Sequence, residues 1–161
     1  MKKNLYIISG WRDTTGRFPY QKLSEIATKK GYKVVRVNPE WDEPLSDQIF
    51  PVTKHDAIFG FSMGAILACM VGKKYPYKKL ILASMTPVLD LSQPTLNMLG
   101  REIWTDCKKF KYGGVKATYF YGEKEIDESL DRIRKFGTIK VIPNTSHQLT
   151  SEYIERIAKE L

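Results

Sequence analysis

The sequence contains one short motif that could carry chemistry, Gly60-Phe61-Ser62-Met63-Gly64. It fits the pattern G-x-S-x-G, in which a serine stands on a sharp turn between a strand and a helix. An apolar stretch over 56–61 leads into the serine, and an apolar stretch over 63–75 follows it. This context predicts that Ser62 is a nucleophile for acyl transfer rather than an incidental turn residue.

The residues around the serine support this interpretation. So tight a turn strains the serine backbone and brings the residues two before and two after it close together, which explains glycine at 60 and 64. The helix that begins after Ser62 offers free N–H groups and a partial positive charge. Both would stabilise an oxyanion that develops beside the serine.

A serine hydroxyl needs a base within hydrogen-bond reach, and the chain has two histidines. His55 precedes the strand predicted over 56–61, so it should lie at the opposite edge of the sheet from Ser62. His147 follows the last predicted strand, in the loop before the final helix. That position places it at the same edge as Ser62, and we expect His147 to be the base.

The base in turn needs a carboxylate that fixes its tautomer and stabilises its positive charge. The loop after the fifth predicted strand carries three acidic residues, of which Glu125 is the preferred candidate. Asp127 and Glu123 are alternatives, and Asp127 could instead stabilise the start of the following helix. Asp90, after the fourth predicted strand, is a further candidate.

Strands and helices alternate along the chain, which requires crossover connections and therefore a parallel sheet with helices on both faces. The fold class expected is a three-layer α/β/α sandwich with about six mostly parallel strands, in a single domain over 1–161. Strands are predicted over 4–9, 33–37, 56–61, 79–84, 116–121 and 139–142. Helices are predicted over 20–30, 63–75, 126–135 and 151–161, with a short helix over 45–50.

The segment 85–114 is too long for a simple connection and contains several prolines and glycines. It could form a small lid or pocket wall, or an ordinary crossover helix over 96–108 with long flanks. Plausible pocket walls are Trp11, Met63, Met85, Leu96, Leu99 and Trp104, with core packing as the alternative for each.

The composition is that of a globular protein with 42% hydrophobic residues. No apolar run is long enough to span a membrane, and the N-terminus does not resemble a signal peptide. Cys69 and Cys107 are too few for a disulfide framework, so both are expected to be free thiols in the cytoplasm. Widely spaced histidines and cysteines predict no metal site, and we expect no cofactor.

The net charge of +8 comes largely from lysine pairs that flank strands or end helices. Such lysines favour a solvated surface, so we expect no nucleic-acid partner. The sequence carries no indication of oligomeric state.

The order of serine, acid and histidine along this chain resembles that of the α/β-hydrolase family. The resemblance covers nearly the whole chain and implies an oxyanion hole with Met63 N–H as one donor. The second donor would come from the loop Ser9-Gly10-Trp11-Arg12, through Trp11 or Gly10. Relatives often have His-Gly at this loop, where this chain has Ser9 and Gly10.

Family members commonly carry Gly-x-x-Asp after the penultimate strand, and this chain has Gly122-Glu123-Lys124-Glu125. Small relatives lack the family's first two strands, including the group that resembles the retinoblastoma-binding serine hydrolases. The resemblance therefore implies a fold that begins at the family's third strand, with little or no cap. It implies hydrolysis of small ester or thioester substrates through an acyl-enzyme. The alternative is a catalytically silent protein of this fold that binds a small ligand or a protein partner.

Overall fold

The computed structural model describes residues 3–85, 114–125 and 134–161. Within these ranges the chain forms six strands and three α-helices. In chain order they are β1 (Lys3–Ile8), α1 (Phe18–Lys29), β2 (Tyr32–Val37), β3 (Ala57–Phe61), α2 (Met63–Lys74), β4 (Lys79–Ala83), β5 (Ala117–Gly122), β6 (Gly137–Ile142) and α3 (Ser151–Ala158). Short 3-10 helices occupy Leu45–Gln48 and Glu123–Glu125.

All six strands belong to one sheet of order β2-β1-β3-β4-β5-β6, and every neighbouring pair is parallel. All strands therefore end at one edge, which we call the carboxyl edge. The chain order reverses between β1 and β3, because β1 pairs with β2 on one side and with β3 on the other. Sites in parallel α/β sheets form beside such a switch point, outside the carboxyl ends of the strands.

Helices cover both faces of the sheet. The apolar side chains of α2 pack on one face, in a cluster that also contains Leu45 and Tyr119. Buried residues of α1 and α3, such as Leu23 and Ile154, pack on the other face. The predicted three-layer sandwich is confirmed, and its sheet is parallel throughout.

The character of each helix follows from its place in these layers. Eight residues of α2 are buried, which explains why it is apolar nearly all round. Only one side of α1 is buried, at Tyr20, Leu23, Ser24 and Ala27. Pro19 lies in the first turn of α1, where a missing N–H costs no intrahelical hydrogen bond.

Some predicted elements differ at their ends. The last strand begins at Gly137 instead of 139, and the short helix over 45–50 is a 3-10 turn. The predicted helix 126–135 falls almost entirely outside the described residues, as do most of segment 85–114 and Cys107. Cys69 is a buried free thiol. Among the helices that the structure describes, none combines the length and apolarity that a membrane crossing requires.

Candidate active site

Ser62 directly follows β3 and is the residue before the first turn of α2. Its backbone has φ 54° and ψ −124°, a region that side-chain-bearing residues rarely adopt. Two hydrogen bonds hold the turn, one from Ser62 N–H to Ala83 O at 2.8 Å and one from Ala65 N–H to Ser62 O at 3.0 Å. The fold thus sustains a strained serine at the carboxyl edge.

The two glycines of the motif are required by close backbone contacts. A Cβ at Gly60 would lie 2.5 Å from Gly64 O, on the first turn of the helix. A Cβ at Gly64 would lie 2.2 Å from Ser9 O, at the end of the neighbouring strand β1. Any side chain at either position would force β3, α2 and the β1 loop apart, so the sequence pattern follows from this packing.

Ser62, His147 and Glu125 are brought together in one chain of hydrogen bonds. Ser62 Oγ lies 2.8 Å from His147 Nε2, and His147 Nδ1 lies 2.6 Å from Glu125 Oε1. A carboxylate can only accept, so Nδ1 carries the proton and donates to Glu125. In the neutral imidazole, Nε2 is then the acceptor for the Ser62 hydroxyl.

The loop that carries His147 is fixed against the end of β5. Lys124 N–H donates to Thr145 O at 3.0 Å, and a Cβ at Gly122 would lie only 2.3 Å from that same oxygen. The His147 imidazole also packs near the ring of Phe61, with 5.2 Å between ring centroids. About half of the His147 side chain stays exposed, at 51%, so the imidazole can be reached from solvent.

Glu125 lies deeper than His147, with 11% of its side chain exposed. Burial alone would raise the pKa of its carboxyl. Hydrogen bonds from His147, from the Ser84 hydroxyl at 2.7 Å and from Gly122 N–H at 2.7 Å outweigh burial and hold the pKa below its ordinary value. Glu125 is therefore a carboxylate at neutral pH, beside the imidazole.

Of the other candidate acids, Glu123 lies within the described residues, and its carboxylate bonds to a backbone amide rather than to the histidine. Glu123 is exposed, and its Oε2 accepts from Asn144 N–H at 2.8 Å. It therefore supports the loop before His147. Asp127 and Asp90 lie outside the described residues. His55 precedes β3 and is thus at the far edge of the sheet from Ser62.

Two backbone segments lie beside Ser62, the start of α2 at Met63 and the loop after β1 at Gly10. Met63 N–H lies in the first turn of α2, where no intrahelical acceptor exists for it. Gly10 packs against the turn, since a Cβ there would lie 3.2 Å from Ser62 Cβ. However, Gly10 N–H donates to the Tyr20 hydroxyl at 3.3 Å. Of the two N–H groups expected from this loop, that of Gly10 is therefore already engaged by Tyr20.

Two buried residues near Glu125 were missed from the sequence. Ser84 follows β4 at the carboxyl edge, has φ 45°, and lies 3.0 Å from the hydroxyl of Tyr153 in α3. A polar residue at the end of an apolar strand is a usable sequence signal for Ser84, although the predicted strand over 79–84 includes it. Tyr153 shows no such signal, because it looks like part of the apolar face of α3.

The predicted pocket walls are only partly within the described residues. Met63 and Met85 are buried, and Trp11 packs against the same cluster while remaining half-buried. Leu96, Leu99 and Trp104 lie outside the described residues. A cavity of about 560 Å³ lies at the opposite edge of the sheet, among the first residues of β4, β5 and β6, and contains none of the groups above.

The fold is that of the α/β hydrolases. A protein from Agrobacterium vitis that is named as a hydrolase has a TM-score of 0.76 at 13% identity, over 99% of this chain and 86% of that one. Est1E from Butyrivibrio proteoclasticus has a TM-score of 0.69 at 13% identity, over 99% and 85%. The RedJ thioesterase of the prodiginine pathway in Streptomyces coelicolor has a TM-score of 0.61 at 15% identity, over 99% and 90%. No family model and no curated protein matches the sequence.

Proposed function

We propose that this protein is a serine hydrolase that cleaves small ester or thioester substrates. Ser62 is the nucleophile, His147 the general base, and Glu125 the carboxylate that orients the histidine. Met63 N–H and Trp11 N–H form the oxyanion hole. We also propose that, among proteins of the α/β-hydrolase fold, this one resembles the retinoblastoma-binding serine hydrolases.

The observation that carries this proposal is the continuous hydrogen-bonded chain from Ser62 Oγ through His147 to Glu125, at 2.8 and 2.6 Å. In this geometry the histidine, oriented by the carboxylate, activates the serine for attack. The strained backbone of Ser62 supports the proposal independently, because strain of this kind persists mainly where function requires it.

The reaction follows from the positions of the atoms. Ser62 Oγ bonds to the acyl carbon while its proton passes to His147 Nε2, and Nδ1 remains bonded to Glu125. The carbonyl oxygen gains negative charge and accepts from the N–H groups of Met63 and Trp11. The tetrahedral intermediate then expels the alcohol or thiol, which takes the proton from Nε2.

Hydrolysis of the acyl-enzyme repeats these steps with water as the nucleophile. His147 Nε2 removes a proton from water, the hydroxide oxygen bonds to the acyl carbon, and the bond to Ser62 Oγ breaks. Ser62 recovers its proton from Nε2, and the carboxylic acid leaves. One oxyanion donor is worth about 10²–10³-fold in rate in sites of this kind.

Esters and thioesters fit this site better than amides, because their leaving groups need less protonation. The exposure of His147, at 51%, supports access for small acyl groups. Among the similar structures, one is a thioesterase, and Est1E has been solved with ferulic acid bound. These two similar proteins support an acyl substrate without identifying it.

The test is labelling by a fluorophosphonate together with turnover of phenyl esters and thioesters. Ser62→Ala should abolish labelling and lower turnover about 10⁶-fold, and His147→Ala should have a similar effect. Glu125→Gln should lower kcat about 10³–10⁴-fold, because the imidazole loses its correct tautomer. The matched controls are Ser24→Ala, a buried serine in α1, and His55→Ala, at the far edge of the sheet.

Three outcomes separate the alternatives. Labelling that is lost in Ser62→Ala and His147→Ala but kept in both controls supports the serine hydrolase. Turnover that survives in Ser62→Ala would refute the assignment of the nucleophile. Folded wild type that neither labels nor turns over any substrate would favour the silent binding protein of the same fold.

A further inference from the structure

Two buried hydroxyl groups stand behind Glu125, on the side away from the histidine. Oε1 of Glu125 contacts His147, whereas Oε2 accepts from Ser84 Oγ at 2.7 Å and from Gly122 N–H at 2.7 Å. Ser84 Oγ lies 3.0 Å from the hydroxyl of Tyr153. Ser84 is 1% exposed and Tyr153 is 0% exposed, so neither can contact a substrate from solvent.

The direction of these hydrogen bonds is fixed by counting protons. An ionised carboxylate only accepts, and a serine hydroxyl has a single proton to donate. Ser84 therefore donates to Glu125 and accepts from Tyr153, which gives a relay from Tyr153 to Ser84 to Glu125. Each bond in such a series polarises the next, and bonds to a charged acceptor are the strong ones.

The titratable neighbours of Glu125 are consistent with this direction. Among the described residues, they are His147 from the loop before α3 and Tyr153 from α3 itself. The ends of β4 and β5 contribute the uncharged Ser84 hydroxyl and the Gly122 amide. Burial raises the pKa of Tyr153. Hydrogen bonding with Ser84 acts in the opposite direction, but burial together with the charge of Glu125 outweighs it, so Tyr153 keeps its proton.

The backbone at Ser84 is strained in a way that the relay explains. Ser84 has φ 45°, which glycine or asparagine would adopt more easily. Its N–H donates to Phe120 O at 2.8 Å, so the strand pairing holds this conformation. The strained residue is a serine whose hydroxyl reaches the acid.

A glutamate at the acid position creates a need for such support. Its side chain has one more rotatable bond than that of aspartate, so more freedom must be lost to direct the carboxylate. Two donors on Oε2 fix the carboxylate plane and leave Oε1 directed at His147. Ser84 follows β4, Glu125 lies in the 3-10 turn after β5, and Tyr153 lies in α3. The relay and its bond to His147 therefore also join the ends of these elements.

Given the proposed function, we propose that Ser84 and Tyr153 are positioning residues, which hold the Glu125 carboxylate toward His147 Nδ1 without touching the substrate. Ser84 acts directly on Glu125, and Tyr153 acts through Ser84. Neither residue bonds to a reacting atom, so their removal changes kcat and leaves KM unaltered.

The first arm of the test does not depend on activity. An NMR titration of isotope-labelled glutamate carboxyls compares wild type with Ser84→Ala, Ser84→Gly and Tyr153→Phe. Loss of the Ser84 hydroxyl should raise the proton affinity of Glu125 about 10-fold or more, and loss of the Tyr153 hydroxyl should raise it less. The controls are Ser24→Ala and Tyr32→Phe, whose hydroxyls bond to backbone carbonyls away from the site.

The second arm measures kcat per active site, counted by fluorophosphonate titration, so that unfolded protein does not enter the rate. Both Ser84 variants should lose about 10–100-fold in kcat, and Tyr153→Phe about 2–10-fold. The pH below which activity falls should move upward, because a less well bonded Glu125 takes up a proton more readily. In the Ser84→Ala background, Tyr153→Phe should cause no further loss.

Specific results would overturn this proposal. It fails if Glu125 titrates in Ser84→Ala as in the Ser24→Ala control. If Ser84→Gly kept the wild-type kcat, the role of Ser84 would be its backbone conformation and not its hydroxyl. If the losses in kcat of Ser84→Ala and Tyr153→Phe were additive in the double variant, Tyr153 would not act through Ser84. If wild type shows no turnover while the Glu125 titration still shifts in Ser84→Ala, the proposed function fails and the positioning of Glu125 stands.

Discussion

The strained backbone of Ser62 leads to a prediction about stability. Ser62→Ala and Ser62→Gly both remove the hydroxyl and its bond to His147. They differ only in the Cβ, which must sit at φ 54° in the alanine variant. We therefore expect Ser62→Gly to be the more stable of the two, although glycine normally destabilises a folded chain.

The magnitude follows from two opposing terms. A side-chain-bearing residue in so sparsely populated a backbone region costs about 1–3 kcal/mol. Glycine costs about 0.5–1 kcal/mol through the greater freedom of the unfolded chain. Their difference makes Ser62→Gly more stable by about 0–2.5 kcal/mol, or about 4 °C in Tm at the middle of that range.

The assay is urea denaturation of both variants, followed by fluorescence. The free energies of unfolding are compared after checking that the two variants have the same m-value. Ser24 provides the matched control, because it is buried and helical, and its hydroxyl donates to Tyr20 O. At that ordinary helical position Ser24→Gly should be less stable than Ser24→Ala by about 1 kcal/mol. If Ser62→Gly were also the less stable variant of its pair, the strain inferred at Ser62 would be refuted.

Three further predictions concern packing and charge. Gly64→Ala places a Cβ 2.2 Å from Ser9 O, so it should destabilise the protein by about 3 kcal/mol in urea denaturation and abolish fluorophosphonate labelling. Gly72→Ala in the same helix meets only side-chain atoms, at 3.0 Å or more, and should keep labelling; equal damage in both would contradict the backbone clash. Asp56→Asn should cost about 2–3 kcal/mol in the same denaturation assay, because this buried carboxylate accepts four hydrogen bonds, yet labelling at the opposite edge should persist. The pKa of Glu125 lies below its ordinary 4.5, so its bonds stabilise the fold above that pH and this stability is lost as the pH falls through the lowered pKa. The free energy of unfolding should thus fall more steeply on acidification in wild type than in Glu125→Gln, and parallel curves would contradict this.

The order and type of the elements could be predicted because the sheet is covered on both faces. Its strands are short apolar runs such as that of β4, and α2 is apolar nearly all round, so both patterns stand out. The ends of the elements are less evident from the sequence. Gly137 has a low strand preference, and it joins β6 with Thr138 because the two residues pair with Ala117 and Thr118 of β5.

The choice of acid shows where sequence patterns reach their limit. Glu123 and Glu125 are two residues apart in one loop, and either could follow a strand to the carboxyl edge. In the 3-10 turn over Glu123–Glu125, the Glu123 side chain accepts from Asn144 N–H and the Glu125 side chain contacts His147, which supports the proposal of Glu125 as the acid. Ser84 and Tyr153 are 69 residues apart, and only the folded chain brings them together.

The parallel sheet also divides the proposed site between two parts of the chain. Ser62 and both oxyanion donors come before β4 ends, whereas Glu125 and His147 come after β5 begins. The acid and base are only 22 residues apart, but the base and nucleophile are 85 apart. A chain cut between 86 and 113 would therefore give two fragments, neither able to attack an acyl group alone. Pairing of β4 with β5 would reunite them, and a fluorophosphonate label on Ser62 would then report the reassembly of the sheet.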